Sequence, residues 1–219
     1  MRQYQLIIFD WDGTLMNSEA RIVGSIQAAA ERSGLPVLSG HESKQVIGLS
    51  LDNAIKNLYP GISEQQQQEM AEAYSHCFLE ESEVEMAPFD GAESLLLGLK
   101  MSGVKTAIAT GKSRRGLDQV LIECGFGAYF DITRTPVESA SKPNPLMLEQ
   151  ILAELQIPVE QALMVGDTTF DLQMAASIGM DRVAMSYGVH ERSLLEAHGP
   201  LGHFDTMQAL HSWLTPRLR

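Results

Sequence analysis

The sequence predicts an α/β fold, an open parallel sheet with helices on both faces, interrupted after its first strand by a small helical insertion. Four short runs are apolar on successive positions, as strands covered on both faces must be. Between the last three of them lie stretches of helical periodicity, so strand and helix alternate. From about residue 16 to about 85 there is no convincing strand, only helical stripes, which marks the insertion.

Taken in order, the first strand is Leu6-Ile7-Ile8-Phe9. In the insertion, Ile22, Ile26 and Ala29-Ala30 fall on one helical stripe, and Val46-Ile47 and Ala54, Ile55 and Leu58 supply others. The polar, acidic stretch 65–83 is expected to be a solvated helical face rather than a binding surface. Pro88 and Gly91 mark the return to the sheet domain. The second strand is Lys105 to Thr110, the third Ala162-Leu163-Met164-Val165, the fourth Arg182-Val183-Ala184-Met185. Helices are expected over roughly 114–124, 144–155 and 168–179, with Gly125 and Gly179 as left-handed stops. The expected division is a sheet domain of 1–15 and 86–219, with 16–85 inserted as a helical cap.

The 219 residues suffice for these two units, and a 44% hydrophobic and 20% charged composition is that of a globular protein. A net charge of −12 excludes nucleic acid as a routine partner, because no basic patch offsets such a field cheaply. A small anionic substrate is compatible with it only where a cation and a metal reverse the sign inside one pocket. Cys77 and Cys124 form no metal or redox pair, and two reduced thiols are expected. Neither a signal-peptide layout nor an apolar run of membrane-spanning length is present, so a cytoplasmic location with no membrane partner is expected.

In an open α/β sheet, ligands bind beyond the carboxyl ends of the strands. After the first strand comes Asp10-Trp11-Asp12-Gly13-Thr14, after the second Thr110-Gly111-Lys112, and after the third Gly166-Asp167-Thr168-Thr169-Phe170-Asp171. Ser141-Lys142-Pro143 stands between the last two. Four acids, a hydroxyl and a lysine therefore converge on one sheet edge. Such a cluster is costly unless a hard divalent cation compensates it, and Mg2+ suits carboxylate and carbonyl oxygens beside a phosphate. A lone Asp after a strand serves more simply as a helix cap, a reading that stays open for Asp171.

The set Asp10-x-Asp12-Gly13-Thr14, Thr110-Gly111, Lys142-Pro143 and Gly166-Asp167-x-x-x-Asp171 resembles the motifs of the haloacid dehalogenase superfamily. More narrowly, it resembles the phosphoglycolate-phosphatase-like and β-phosphoglucomutase-like branch, whose cap follows the first motif. The resemblance spans nearly the whole chain and implies a Rossmann-like core. It also implies Mg2+-dependent hydrolysis of a small phosphorylated metabolite, of the phosphoglycolate or sugar phosphate class. Asp10 would be the nucleophile that forms an aspartyl-phosphate, and Asp12 the general acid and then base. Gly13 would allow the chain reversal that follows, and Thr14 would tie that turn down. Thr110 and the Gly111 N–H would bind phosphoryl oxygens, and Lys142 would neutralise their charge. Asp10, the Asp12 carbonyl and Asp167 would hold Mg2+, while Asp171 orients Lys142.

Weaker features accompany these. Trp11 is expected to pack near the site, and Ile47-Gly48-Leu49-Ser50-Leu51 is either a cap loop facing it or an ordinary turn. Arg21, Lys44 and Lys56 are cap cations able to reach a substrate or simply surface charges, and Lys112 is expected near the pocket. The histidines show no metal spacing, and Gly125-Phe126-Gly127 closes a helix instead of opening a dinucleotide fingerprint. The missing phosphate loop argues against an ATP-dependent kinase. A phosphomutase shares the same acids and stands as the alternative; a dehalogenase or a non-catalytic module of the same fold stands further off.

Overall fold

The computed structural model describes residues 2–218; Met1 and Arg219 lie outside them. Strand β1 (Leu6–Phe9) leads to the two-residue strand β2 (Met16–Asn17) and then to four cap helices. These are α1 (Glu19–Arg32), α2 (Gly40–Lys44), α3 (Leu51–Leu58) and α4 (Glu64–His76), the last continued by a π-helical turn, Cys77–Glu81. Strand β3 (Ala87–Pro88) pairs antiparallel with β2, so both chain passages of the cap run through one narrow ribbon. The sheet domain continues with α5 (Ala92–Met101), β4 (Lys105–Ala109), α6 (Arg114–Cys124), β5 (Ile132–Arg134) and α7 (Leu146–Leu155). It closes with β6 (Ala162–Gly166), α8 (Thr169–Ser177), β7 (Asp181–Met185), α9 (Arg192–Glu196), β8 (His203–Phe204) and α10 (Met207–Leu214).

The main sheet is six-stranded and parallel, in the order β5-β4-β1-β6-β7-β8. Chain order reverses beside β1, between β4 and β6, the point where an open parallel sheet leaves a crevice for a ligand. Because successive strand residues face opposite sides, Leu6 and Ile8 enter one apolar cluster and Ile7 and Phe9 the other. The four strands expected from continuous apolar runs are all present. Four short strands, β2, β3, β5 and β8, were not legible. β5 and β8 sit at the sheet edges, where one neighbour and little burial leave Thr133, Arg134 and His203 in place of an apolar run. β2 also corrects the expectation that residues 16–85 hold no strand.

Gly125 ends α6 with φ 73°, and Gly179 follows α8 with φ 71°, both as expected from glycine at a helix stop. The cap has its own apolar core, built on Ile22, Ile26, Ala29, Ile47, Ile55 and Met70. Trp11 lies in the sheet domain's core with its ring edge-to-face against Phe126 and Phe130. Among the described residues, no helix is long and apolar enough to cross a membrane.

Candidate active site

Asp10 follows β1 directly, and its N–H donates to Val165 O of the neighbouring β6 at 3.0 Å. The register of β1 against β6 thereby brings Asp10 to Asp167, and α8 carries Asp171 back over the same edge. Carboxylate oxygens of these three buried acids lie within 4.8 Å of one another. Lys142 enters from the loop before α7, fully buried, with Nζ 2.7 Å from Asp10 Oδ1 and 2.6 Å from Asp171 Oδ1. Its bond to Asp171 has hydrogen-bond geometry, whereas its approach to Asp10 is that of charges in contact, leaving Asp10 Oδ2 buried without any partner among the described residues.

Three carboxylates and one ammonium leave two negative charges uncompensated in a site sealed from water. Burial, reinforced by Asp171 and Asp167, pushes the Asp10 carboxyl well above its ordinary range against the pull of Lys142. Burial and the neighbouring Asp171 likewise raise Asp167, to about 7. Burial alone would lower Lys142; the charges of Asp10 and Asp171 outweigh it and keep the ammonium protonated. An unpartnered buried carboxylate oxygen inside an all-oxygen donor set fits a hard divalent cation, whose charge would remove the excess.

Glycines make this packing possible. A Cβ on Gly13 (φ 83°) would sit 2.3 Å from Asp167 Oδ2, and one on Gly188 would sit 2.2 Å from Asp167 Cβ. Asp167 accepts from Thr14 Oγ1 at 2.7 Å and from the Val189 N–H at 2.8 Å. The Thr14 hydroxyl thus anchors Asp167 instead of tying down its own turn as the sequence suggested. Asp171 does two things at once. Its Oδ2 accepts from Thr168 Oγ1 at 2.7 Å and from Thr168 N–H in a capping box at the start of α8, while Oδ1 holds Lys142.

Asp12 stands apart from the three-acid cluster. Its Oδ1 accepts from Ser18 Oγ at 2.7 Å, and its Oδ2 lies 3.0 Å from Lys112 Nζ in a nearly buried pair. Lys112 is therefore at the pocket, as expected. Thr110 Oγ1 accepts from the Lys112 N–H at 3.2 Å, which leaves its own hydroxyl hydrogen available to a ligand. Gly111 lies beneath the cap loop, where a Cβ would be 2.4 Å from both Gly48 O and Leu49 O. The Ser50 N–H donates to Ser141 Oγ across the same junction. Segment 47–51 therefore faces the site. The other cap cations do not line it. Arg21 donates twice to Phe78 O, Lys44 lies 3.6 Å from Glu19, and Lys56 is exposed.

Several contributors escaped the sequence. Ser18 occupies the N-cap position of α1 yet caps nothing, its hydroxyl being turned to Asp12. Gly188 and Val189 follow the fourth predicted strand, so extending the strand-end search one strand further would have found them. His190 accepts from the Thr169 N–H at 3.0 Å, and its Nε2 faces Gln45 O of the cap at 3.3 Å. That buried histidine is satisfied between the two domains and joins no metal cluster among the described residues. Tyr74 and Phe78 of the stretch 65–83, expected to be a solvated helical face rather than a binding surface, line a cavity beside Asp12.

An open parallel sheet with its switch point at β1, and a buried carboxylate-and-lysine site under a helical cap, define a hydrolase of the capped α/β type. The family model described as haloacid dehalogenase-like hydrolase matches residues 7–185, and the chain belongs to that family. It is 30% identical over 205 residues to "Probable phosphatase IndB" of Dickeya dadantii, covering 92% of this chain and 89% of that one. It is also 30% identical to the tyrosine-protein kinase PtkA of Mycobacterium tuberculosis, over 84% of this chain; the chain spans only 62% of that kinase's length. A phosphoglycolate phosphatase of Vibrio cholerae is 26% identical over 86% of this chain and 87% of its own. Among solved structures, a hydrolase from Pseudomonas syringae shares the fold with a TM-score of 0.87 at 22% identity, covering both chains fully.

Proposed function

We propose that this chain is a Mg2+-dependent phosphatase of small phosphorylated metabolites, working through an aspartyl-phosphate on Asp10. The observation that carries the reading is the Asp10 carboxylate itself, buried, touched by the Lys142 ammonium at 2.7 Å and left with an unpartnered oxygen. Its family membership supports the same chemistry. In this reading the division into a catalytic core, 1–15 and 86–219, and a cap, 16–85, separates reaction from substrate choice, and the setting is cytoplasmic.

Asp10 attacks phosphorus, forming an acyl phosphate as the ester P–O bond breaks. Asp12 gives its proton to the departing alcohol oxygen, then takes one from the water that attacks the acyl phosphate. That second attack releases inorganic phosphate and restores the Asp10 carboxylate. The Thr110 hydroxyl and the Gly111 N–H bond the phosphoryl oxygens, and Lys142 balances their charge with that of the nucleophile. Asp10, the Asp12 carbonyl and Asp167 are the residues that would hold Mg2+, which when bound would supply stabilisation of the charge on the phosphoryl group. Asp171 keeps Lys142 aimed at Asp10.

Asp10→Asn tests this directly. Mg2+-dependent release of inorganic phosphate is expected to vanish while the thermal unfolding transition persists, and free phosphate, not an isomerised sugar phosphate, is the expected product. Ordinary turnover by the variant would refute the assignment.

A further inference from the structure

The cap and core enclose a cavity of about 110 Å3 that opens onto Asp12 and Gly111. One water needs about 10–15 Å3 by the same measure, so this space accommodates an organic group. Its walls come from three cap helices and the loop over Gly111, with Ile22, Leu49, Ile55, Met70 and Phe78 among them. Lys112 is the cation on its wall, and that charge is already engaged. Nζ lies 3.0 Å from Asp12 Oδ2 and 4.5 Å from the Phe78 ring centroid. Arg21 is turned away to Phe78 O, while Lys44 and Lys56 do not reach the cavity. Tyr74 lines it as well. Burial and then the charge of Asp12 push that phenol upward, so it stays a neutral donor.

A carboxylate entering this space would leave water for apolar walls and find Lys112, the nearest cation, already in contact with Asp12. An apolar group meets none of these costs. Resting on the phosphatase reading, we propose that the cavity takes the leaving group of the substrate. That group is then a neutral, predominantly apolar alcohol, with room for one oxygen to accept from Tyr74, and esters bearing a carboxylate are discriminated against. The class expected at this site is thus not phosphoglycolate, even though relatives carry that name.

The test compares Mg2+-dependent phosphate release from benzyl phosphate, ethyl phosphate and 2-phosphoglycolate by the wild-type protein, with Asp10→Asn as the control. All three leave as alkyl alcohols, so binding and not leaving-group reactivity separates them. Benzyl phosphate is expected to exceed 2-phosphoglycolate in kcat/KM by about tenfold or more, the scale on which one pocket contact discriminates. Ala54→Leu, which fills part of the cavity, is expected to lower the ratio of kcat/KM for benzyl over ethyl phosphate by about tenfold. Asp10-dependent hydrolysis that favours 2-phosphoglycolate would overturn the leaving-group inference and leave the phosphatase reading standing. Hydrolysis of none of the three, with wild type and Asp10→Asn alike, would overturn both.

Discussion

Gly111 of the core and Gly48 of the cap meet so closely that a Cβ on the former would lie 2.4 Å from the carbonyl oxygen of the latter. No side chain can stand between them. The contact places the cap loop over the Thr110–Gly111 turn and closes the cavity above Asp12.

Gly111→Ala therefore forces the cap loop outward by a fraction of an ångström to an ångström. Misplacement of that size is worth up to about a hundredfold in rate, so kcat/KM is expected to fall by about ten- to a hundredfold. The unfolding temperature should fall only modestly, because Ile47 of that loop belongs to the cap's apolar core while the sheet domain's core is untouched. Wild-type kinetics would mean that turnover does not use this closed arrangement.

Lys142→Met removes the ammonium from between two buried acids. Leaving a buried charge unpaired costs about 3–5 kcal/mol, to be read from urea unfolding of the metal-free protein near neutral pH. The loss should shrink on the acid side, where Asp10, already raised by its burial, takes up a proton and no longer needs a partner. A loss below about 1 kcal/mol would contradict the ion-pair geometry.

Asp167 is raised by burial to about 7. Its protonated form is the one the metal-free fold favours, so its contribution to stability is full below about pH 4 and is lost as pH climbs through about 7. Mg2+ requires the ionised form and competes with that proton. Added Mg2+ is accordingly expected to raise the Tm more at about pH 8 than at about pH 5.5, with protons released on binding. An equal or larger Mg2+ effect at the acid end would rule out Asp167 as a ligand.

Ser18→Ala takes away the hydroxyl that holds Asp12 Oδ1 at 2.7 Å. A hydrogen bond to a charged group is worth about 1.5–3 kcal/mol, so kcat is expected to drop by about ten- to a hundredfold with a displaced pH profile. Helix α1 should not loosen, because the Ser18 hydroxyl accepts no cap bond from the helix. An unchanged pH profile would assign Ser18 a merely structural role.

The amino-acid order by itself determined the parallel sheet, the helical insertion and the strand-end motifs, because burial on both faces demands continuous apolar runs and short signals follow them directly. It was silent on the edge strands β5 and β8, whose single neighbour imposes no such pattern. Tertiary structure alone decided that Asp12 leaves the acid cluster for Ser18 and Lys112, that Asp171 both caps α8 and holds Lys142, and that Tyr74 and Phe78 turn inward. The physical reason is that a side chain's partners depend on distances across the fold. Thr14 and Asp167, 153 residues apart, meet at 2.7 Å only because strand register brings β1 beside β6.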